Sequence, residues 1–321
     1  MDENINVLTT TKYVIDNAQF VKLNLSRLDI ISKIVENRLQ QGLQSAEESF
    51  GVSKNLTFDT QLVFIEDVVN FCFWSKKNEP RWEIEFHGKN IGGYYGLVNA
   101  LVRAIENNIP ILDANYLMNL NQQKISDIFK SSNGIEIPLL NKRLDNLIEA
   151  GRVLQQKFGG LFLNVIQEAN FDALKLVQLI FDNFSSFQDT AEYKGKKIYF
   201  LKRAQIVAND IVYLQQKYNF NLTNIDKLTA FADYKIPQIL RHFGLLVYSD
   251  DLAYKVDNYI EIPAGSEYEI EIRAASIWGV EFIKQYLKNK YLSTQIDNAI
   301  WLISQDQNGL EPFHRTLTYF Y

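Results

Sequence analysis

Apolar residues recur along most of this chain three and four positions apart, the spacing that lines one face of an α-helix. In "SRLDIISKIVENRLQQGL" they fall at Leu28, Ile31, Ile34, Val35 and Leu39, behind Ser26, which is placed to cap the helix. "TQLVFIEDVVNFCFW" opens at Asp59 or Thr60 and is so densely apolar that deep burial is expected. Further helices are predicted over 93–107, 138–156, 170–183, 199–217, 235–246, 272–288 and 293–305, with Asp172, Asp226 and Ser266 near helix starts where capping groups are favoured. Strand signals are fewer. "RWEIEF" (81–86) and "NYIEIP" (258–263) alternate, and "KKIYF" (196–200) is short. No repeat, low-complexity tract or linker interrupts the pattern, and charge is spread throughout. The fold expected is mainly α: a single helical domain over residues 1–321 with a small β element, in one unit or two closely packed lobes.

Composition narrows the functions open to such a fold. The 321 residues are 47% hydrophobic and 22% charged, an ordinary globular balance with ample core. A net charge of −5 disfavours a protein that coats nucleic acid, which needs a basic face. The single cysteine, Cys72, excludes an intrachain disulfide and fits a reducing compartment. "MDENINVLTTTKY" has no basic region followed by an apolar run, and no segment reaches the ~18 apolar residues of a membrane span. These readings point to a cytoplasmic protein, expected as a monomer, with no membrane or direct nucleic-acid partner. His87, His242 and His314 lie far apart with no HExxH or Cys/His cluster, so no metal is expected. GxGxxG, GxxxxGK[ST] and GxSxG are all missing from the sequence, and "IGGYYG" (91–96) reads as a turn into a helix. No cofactor is implied.

Four segments set polar or aromatic groups among apolar neighbours. "NFCFWSKKNEPRWEIEFHGK" holds Trp74 and Trp82, which read as an aromatic cluster, and His87, a loop histidine suited to an anion or a sugar hydroxyl. In "FSSFQDTAEYKGKKIYFLKRAQIVAND", Phe187 and Asp189 are two apart and point the same way in extended backbone. An aromatic face beside a carboxylate can stack a guanine-like base and accept its N–H groups, although Asp189 could equally cap a turn. Lys202 and Arg203 follow on a helix, and Arg suits phosphate; a solvated charged face is the plain alternative. "TAFADYKIPQIL" carries Asp233, Tyr234 and Gln238. Asp233 can cap a helix starting at Lys235 or Ile236, with Pro237 in its first turn. The tail "PFHRTLTYFY" includes His314 and Arg315 and is apolar enough to be docked.

In chain order, "NFCFW", "HGK…GGYYGLVNALVRAIENNIPI", "FQDTAEYKGKKIYFLKRAQIVANDI", "FADYKIPQILRHFGLLVYSDDL", "GSEYEIEIRAAS" and "PFHRTLTYFY" resemble the queuosine salvage protein family over about the whole chain. The resemblance implies a fold like that of the helical DNA glycosylases and a queuosine 5′-phosphate N-glycosylase activity. Such an enzyme hydrolyses the N-glycosidic bond of queuosine 5′-monophosphate and frees queuine for salvage into tRNA. It also implies that Phe187 and Asp189, and Asp233 and Tyr234, line the base and ribose pocket, with Gln238 and His87 at further pocket positions.

On that expectation Asp233 and Asp189 are the catalytic carboxylates. Positive charge grows on the ribose in the transition state, and a fixed carboxylate stabilises or attacks it. The leaving base is a 7-deazaguanine without N7, so protonation there cannot help it depart. We assign Asp233 to the ribose side and Asp189 to the base; the reverse assignment satisfies the same logic. One or more of Lys202, Arg203, His87 and Arg315 is expected to meet the phosphate, Arg203 through its fork of donors. The rival readings are a DNA or RNA base glycosylase, which would need a basic face, and a non-catalytic helical interaction protein in which both carboxylates are only caps.

Overall fold

A computed structural model describes residues 6–43 and 52–321. Fifteen α-helices account for most of the described chain, and the strands form three two-stranded antiparallel pairs. Val21–Leu23 pairs with Leu246–Tyr248, Glu83–Phe86 with Lys89–Gly92, and Thr190–Tyr193 with Lys196–Tyr199. The mainly helical expectation therefore holds, with the β content confined to hairpins and one long-range pair. None of the described helices is long and apolar enough to cross a membrane.

Boundaries shift where local chemistry outranks periodicity. The first predicted helix spans Leu28–Gln40, preceded by a 3-10 turn, and Ser26 donates to Asn24 Oδ1 at 2.7 Å instead of capping. The second starts at Leu56, because Asn55 accepts the Phe58 N–H at 2.9 Å, and ends at Val68. Asp172 and Ser266 do cap their helices, whereas Asp226 lies inside the 3-10 turn Ile225–Lys227. The helix predicted over 199–217 starts only at Lys202, after Leu201 at φ 55°, since residues through Tyr199 complete a hairpin. "NYIEIP" is not a strand: Glu261 makes one isolated bridge to Arg315 in the docked tail. The helices Val7–Asp16, Phe162–Glu168 and Asp250–Asp257 lie outside the stretches that apolar periodicity predicts.

Two packed helices set up the interior. In Leu56–Val68 every side chain from Asp59 onward is buried, including Gln61, Glu66 and Asp67. It packs on Lys202–Tyr213, whose Lys202, Arg203, Gln205, Asn209 and Asp210 are buried in turn. Arg203 donates to the carbonyls of Asp67 (2.9 Å) and Val68 (2.8 Å), which the end of the first helix leaves without intrahelical partners. The 20-residue helix Glu267–Tyr286 is the second support, packed against Val7–Asp16, Leu28–Gln40, Lys235–His242 and Ser293–Asp306.

Arg273 of that long helix ties these parts together. Its guanidinium grips Asp189 with two bonds, Nη1 to Oδ1 at 2.9 Å and Nη2 to Oδ2 at 2.6 Å, both residues being 2% exposed. Nε donates to Ala232 O at 3.1 Å, and the group lies over the rings of Phe200 and Tyr321. Asp189 also accepts the Lys202 N–H at 3.0 Å, starting the next helix. Removing one partner of such a pair strands a buried charge. Asp189→Ala should therefore lose about 3–5 kcal/mol of stability, read as a lower denaturation midpoint in urea; a midpoint within error of the parent would show that Arg273 finds another partner.

Candidate active site

A cavity of about 410 Å3 opens between the ends of these helices, within the range that takes a small ligand. Its walls come from five stretches. Asn70, Phe71, Phe73 and Trp74 follow the helix Leu56–Val68, and Arg81, Glu83 and Gly92–Tyr95 belong to the first hairpin and the helix after it. Lys202, Asn209 and Asp210 come from Lys202–Tyr213, while Phe231 and Asp233–Lys235 form the turn into Lys235–His242. Asp297, Asn298, Trp301, Phe313 and Tyr321 close it from the C-terminal part.

The glycines of "IGGYYG" have a job here. Gly93 takes φ +62°, turning the hairpin directly into the helix Gly93–Glu106, and a Cβ on Gly96 would sit 2.8 Å from Ile91 O. The result sets Tyr94 and Tyr95 on the wall against Trp301, with ring centroids 5.7 and 5.9 Å away. Tyr234 packs on Phe313 at 4.7 Å on another wall. Such aromatic surfaces can receive a flat heterocycle.

Asp233 does cap the helix Lys235–His242: its Oδ1 accepts the N–H of Lys235 at 2.7 Å and of Ile236 at 2.9 Å. Pro237 sits in the first turn, where no N–H is missed. The same carboxylate lines the cavity, so capping the helix does not take it away from the cavity wall. Burial pushes its pKa up, while Lys202 and the two N–H groups draw it back. Lys202 is 6% exposed; burial lowers its pKa and the charges of Asp233, Asp67 and Glu66 hold it up. Asp297, whose Oδ1 accepts Phe231 N–H at 2.9 Å, is raised well above the usual carboxylate range by burial and by Asp233.

Of the other residues singled out in the sequence, Tyr234 lines the cavity; Phe187, Asp189, Gln238, His87 and Arg203 stand outside its lining. Phe187 is 1% exposed, with its ring near Phe64 and the Arg203 guanidinium. Asp189 is held by Arg273, and Arg203 by the carbonyls of Asp67, Val68 and Ser186. Gln238 donates to Glu311 O at 2.7 Å. His87 is exposed on the hairpin turn, 3.6 Å from Glu106. Reasoning from the sequence passed over Arg81, Asp210, Asp297 and Trp301, and also Glu66 and Asp67, though two acids inside "LVFIEDVVNF" are a legible anomaly.

Those two acids and Asp210 form a cluster, each offering an oxygen within 4.8 Å of the others. The spacing would suit a cation, but the ammonium of Lys202 and the guanidinium of Arg203 already bring positive charge to it. Glu66 is fully buried, and neither of its oxygens has a hydrogen-bond partner apart from the facing Asp67 carboxyl. Two carboxylates repel in that contact; one proton turns it into a hydrogen bond. Burial, with Asp67 and Asp210 behind it, raises the Glu66 pKa well above its ordinary value.

The fold and the cavity define a helical protein with an aromatic-walled pocket lined by ionisable groups. Residues 52–321 match the queuosine salvage protein family. The chain is 36% identical to the queuosine 5′-phosphate N-glycosylase/hydrolase of Sphaerobacter thermophilus, over 99% of this chain and 98% of the relative. Relatives bearing the same description from Mus musculus (38% identical, 81% of each chain) and Schizosaccharomyces pombe (31%, 94% of this chain and 91% of the relative) agree. This chain belongs to the queuosine salvage protein family.

The raised Glu66 pKa fixes the sign of a pH effect. The folded state keeps a proton that the unfolded chain gives up near pH 4.3, so Glu66 favours folding below that pH and the benefit fades as pH rises toward its folded pKa. Glu66→Gln removes that loss. The variant should melt about 2 °C above the parent at pH 8 and close to it at pH 5, followed by scanning calorimetry; a gain at pH 5 that disappears at pH 8 would contradict a protonated Glu66.

Proposed function

We propose that this chain is an N-glycosidase that hydrolyses queuosine 5′-monophosphate and releases queuine for salvage into tRNA. Asp233 carries the reading: a half-buried carboxylate, fixed by two main-chain N–H groups and faced by Lys202, on the wall of a nucleotide-sized aromatic cavity. The description shared by relatives matched over nearly their full length supplies the substrate. A polynucleotide glycosylase is less well supported, given a net charge of −5.

The base stacks between aromatic walls, with Trp74, Tyr234, Phe313 and Trp301 on offer. As the glycosidic bond lengthens, the ribose gains positive charge, and Asp233 stabilises it in a site where low dielectric strengthens the attraction. Burial raises the Asp233 pKa, and Lys202 with the two N–H groups draws it back toward the anion that this role needs. Asp189 acts at one remove, through Arg273 and Ala232, by holding the turn that carries Asp233. The enzyme acts as a cytoplasmic monomer on a small molecule, which its charge and its lone buried Cys72 suit. Asp233→Asn keeps the cap, since Asn caps helices equally well. It should cut queuine release by ~10²–10³-fold, measured by chromatography of the free base; parental turnover would reduce Asp233 to a helix cap.

The 5′-phosphate needs cations that reach the cavity. Arg81 and Lys235 line it, and Lys235 feels the repulsion of both Arg81 and Arg315. Like charges gathered at a cavity edge make a seat for an anion. Arg203, buried and donating to three carbonyls, serves the helix ends instead. Arg81→Ala should lower kcat/KM about 10–100-fold for the nucleotide, the worth of one or two charge-assisted bonds, and little for the nucleoside. Equal losses on the two substrates would take Arg81 out of phosphate binding.

A further inference from the structure

Of the three clustered carboxyls, Glu66 and Asp67 lie behind the cavity wall, and Asp210 is the one that lines it. Asp210 comes from the same helix as Lys202, two turns further on, and its Oδ1 takes the Asn209 amide at 3.2 Å. The groups around it come from every neighbouring element: Glu66 and Asp67 on Leu56–Val68, Tyr94 on Gly93–Glu106, and Lys202 on its own helix. Asp233 and Asp297 stand on the same cavity. Five enclosed carboxyls face Lys202, with Arg203 near Asp67, so the group as a whole must hold protons. The wholly buried Glu66, which offers an oxygen to this cluster and has no donor besides the facing Asp67 carboxyl, is the independent sign that protons are shared there.

We propose that Asp210 is the general acid of the reaction, giving its proton to the departing 7-deazaguanine while Asp233 works on the ribose. The proposal rests on the reading of the reaction given above. A 7-deazaguanine has carbon where guanine has N7, so the usual site for assisting departure is missing and the base needs a donor at one of its remaining nitrogens or its carbonyl oxygen. As the C1′–N9 bond breaks, its electron pair goes to the base and the Asp210 proton follows. Water adds its oxygen to C1′ and passes a proton to Asp233. One water is consumed, Asp210 is left ionised and Asp233 protonated; exchange with solvent on product release restores both. The division matches how glycosidases set two carboxyls to opposite tasks, one kept protonated by its surroundings and the other kept ionised. Burial pushes Asp210 up to about 7, with Asn209 and Lys202 pulling the other way, so the acid is part-protonated at neutral pH.

The test is single-turnover queuine release from queuosine 5′-monophosphate between pH 5 and 9. The parent should lose rate through an alkaline limb near pH 7. Asp210→Asn keeps the shape and the Asn209 contact but has no proton to give; its rate at pH 6 should fall ~10²–10³-fold and its profile should lose the limb. Asp210→Glu should keep a limb, displaced, at reduced rate, and serves if the amide variant folds poorly. A variant slowed at all pH values with the limb in place would mean a structural role and overturn the proposal, as would an Asp210→Asn enzyme within threefold of the parent. A folded parent that releases no queuine at any pH would defeat the reading of the reaction, and the role of Asp210 with it.

Discussion

The bidentate pair between Arg273 and Asp189 is the constraint on which the rest of the interior rests. A guanidinium and a carboxylate, each all but sealed from solvent, meet in the geometry that best repays their desolvation. Each partner has a further duty. Asp189 starts the helix that carries Lys202 and Asp210, and Arg273 holds Ala232 O one residue before Asp233. Both sides of the cavity are thereby referred to one point. The tail joins through Tyr321, whose hydroxyl donates to Glu269 at 3.0 Å while its ring lies under Arg273.

Electrostatics around the cavity follow from burying more acid than base. A surface excess of carboxylates is settled by water and salt, but an enclosed one is settled by protons. The structure separates the two outcomes in space. Near the turn at Asp233, two N–H donors and Lys202 oppose the rise in pKa that burial causes. Behind Asp210, where Glu66 meets Asp67 without a donor, the neutral acid is favoured. One lysine between them feels both. Chemistry that needs an anion and an acid on one cavity is served by that gradient more than by any single residue.

Helices were legible because their apolar stripes are long; the elements missed were short, such as Phe162–Glu168, or fixed by partners far away in sequence, such as Val21–Leu23 with Leu246–Tyr248. Asp233 was legible for a physical reason: a carboxylate, a proline and a run of apolar residues can share a helix start only if the carboxylate caps it. Asp189 and Arg203 were legible as polar groups in apolar surroundings, but sequence does not tell whether such a group faces a cavity or a partner. Arg273, 84 residues from Asp189, decides that for one, and the end of the helix Leu56–Val68 decides it for the other. Glu66 and Asp67 stand out as two acids in an apolar run, but Asp210 and Asp297 are unremarkable acids on their helices until packing turns them toward the cavity.

The cavity draws its wall from residues as far apart as Asn70 and Tyr321. Contacts of that sequence separation cost the entropy of closing the intervening chain, and they need the last residues to have been made. During synthesis the helices of the first half can form and pack while the binding cavity has no far wall. A chain clipped within its final ten residues would lose Phe313 or Tyr321 from the wall, and with Tyr321 a ring that covers Arg273. Binding competence in this protein is therefore a property of the finished fold, and a chain still lacking its last residues has no complete wall to offer.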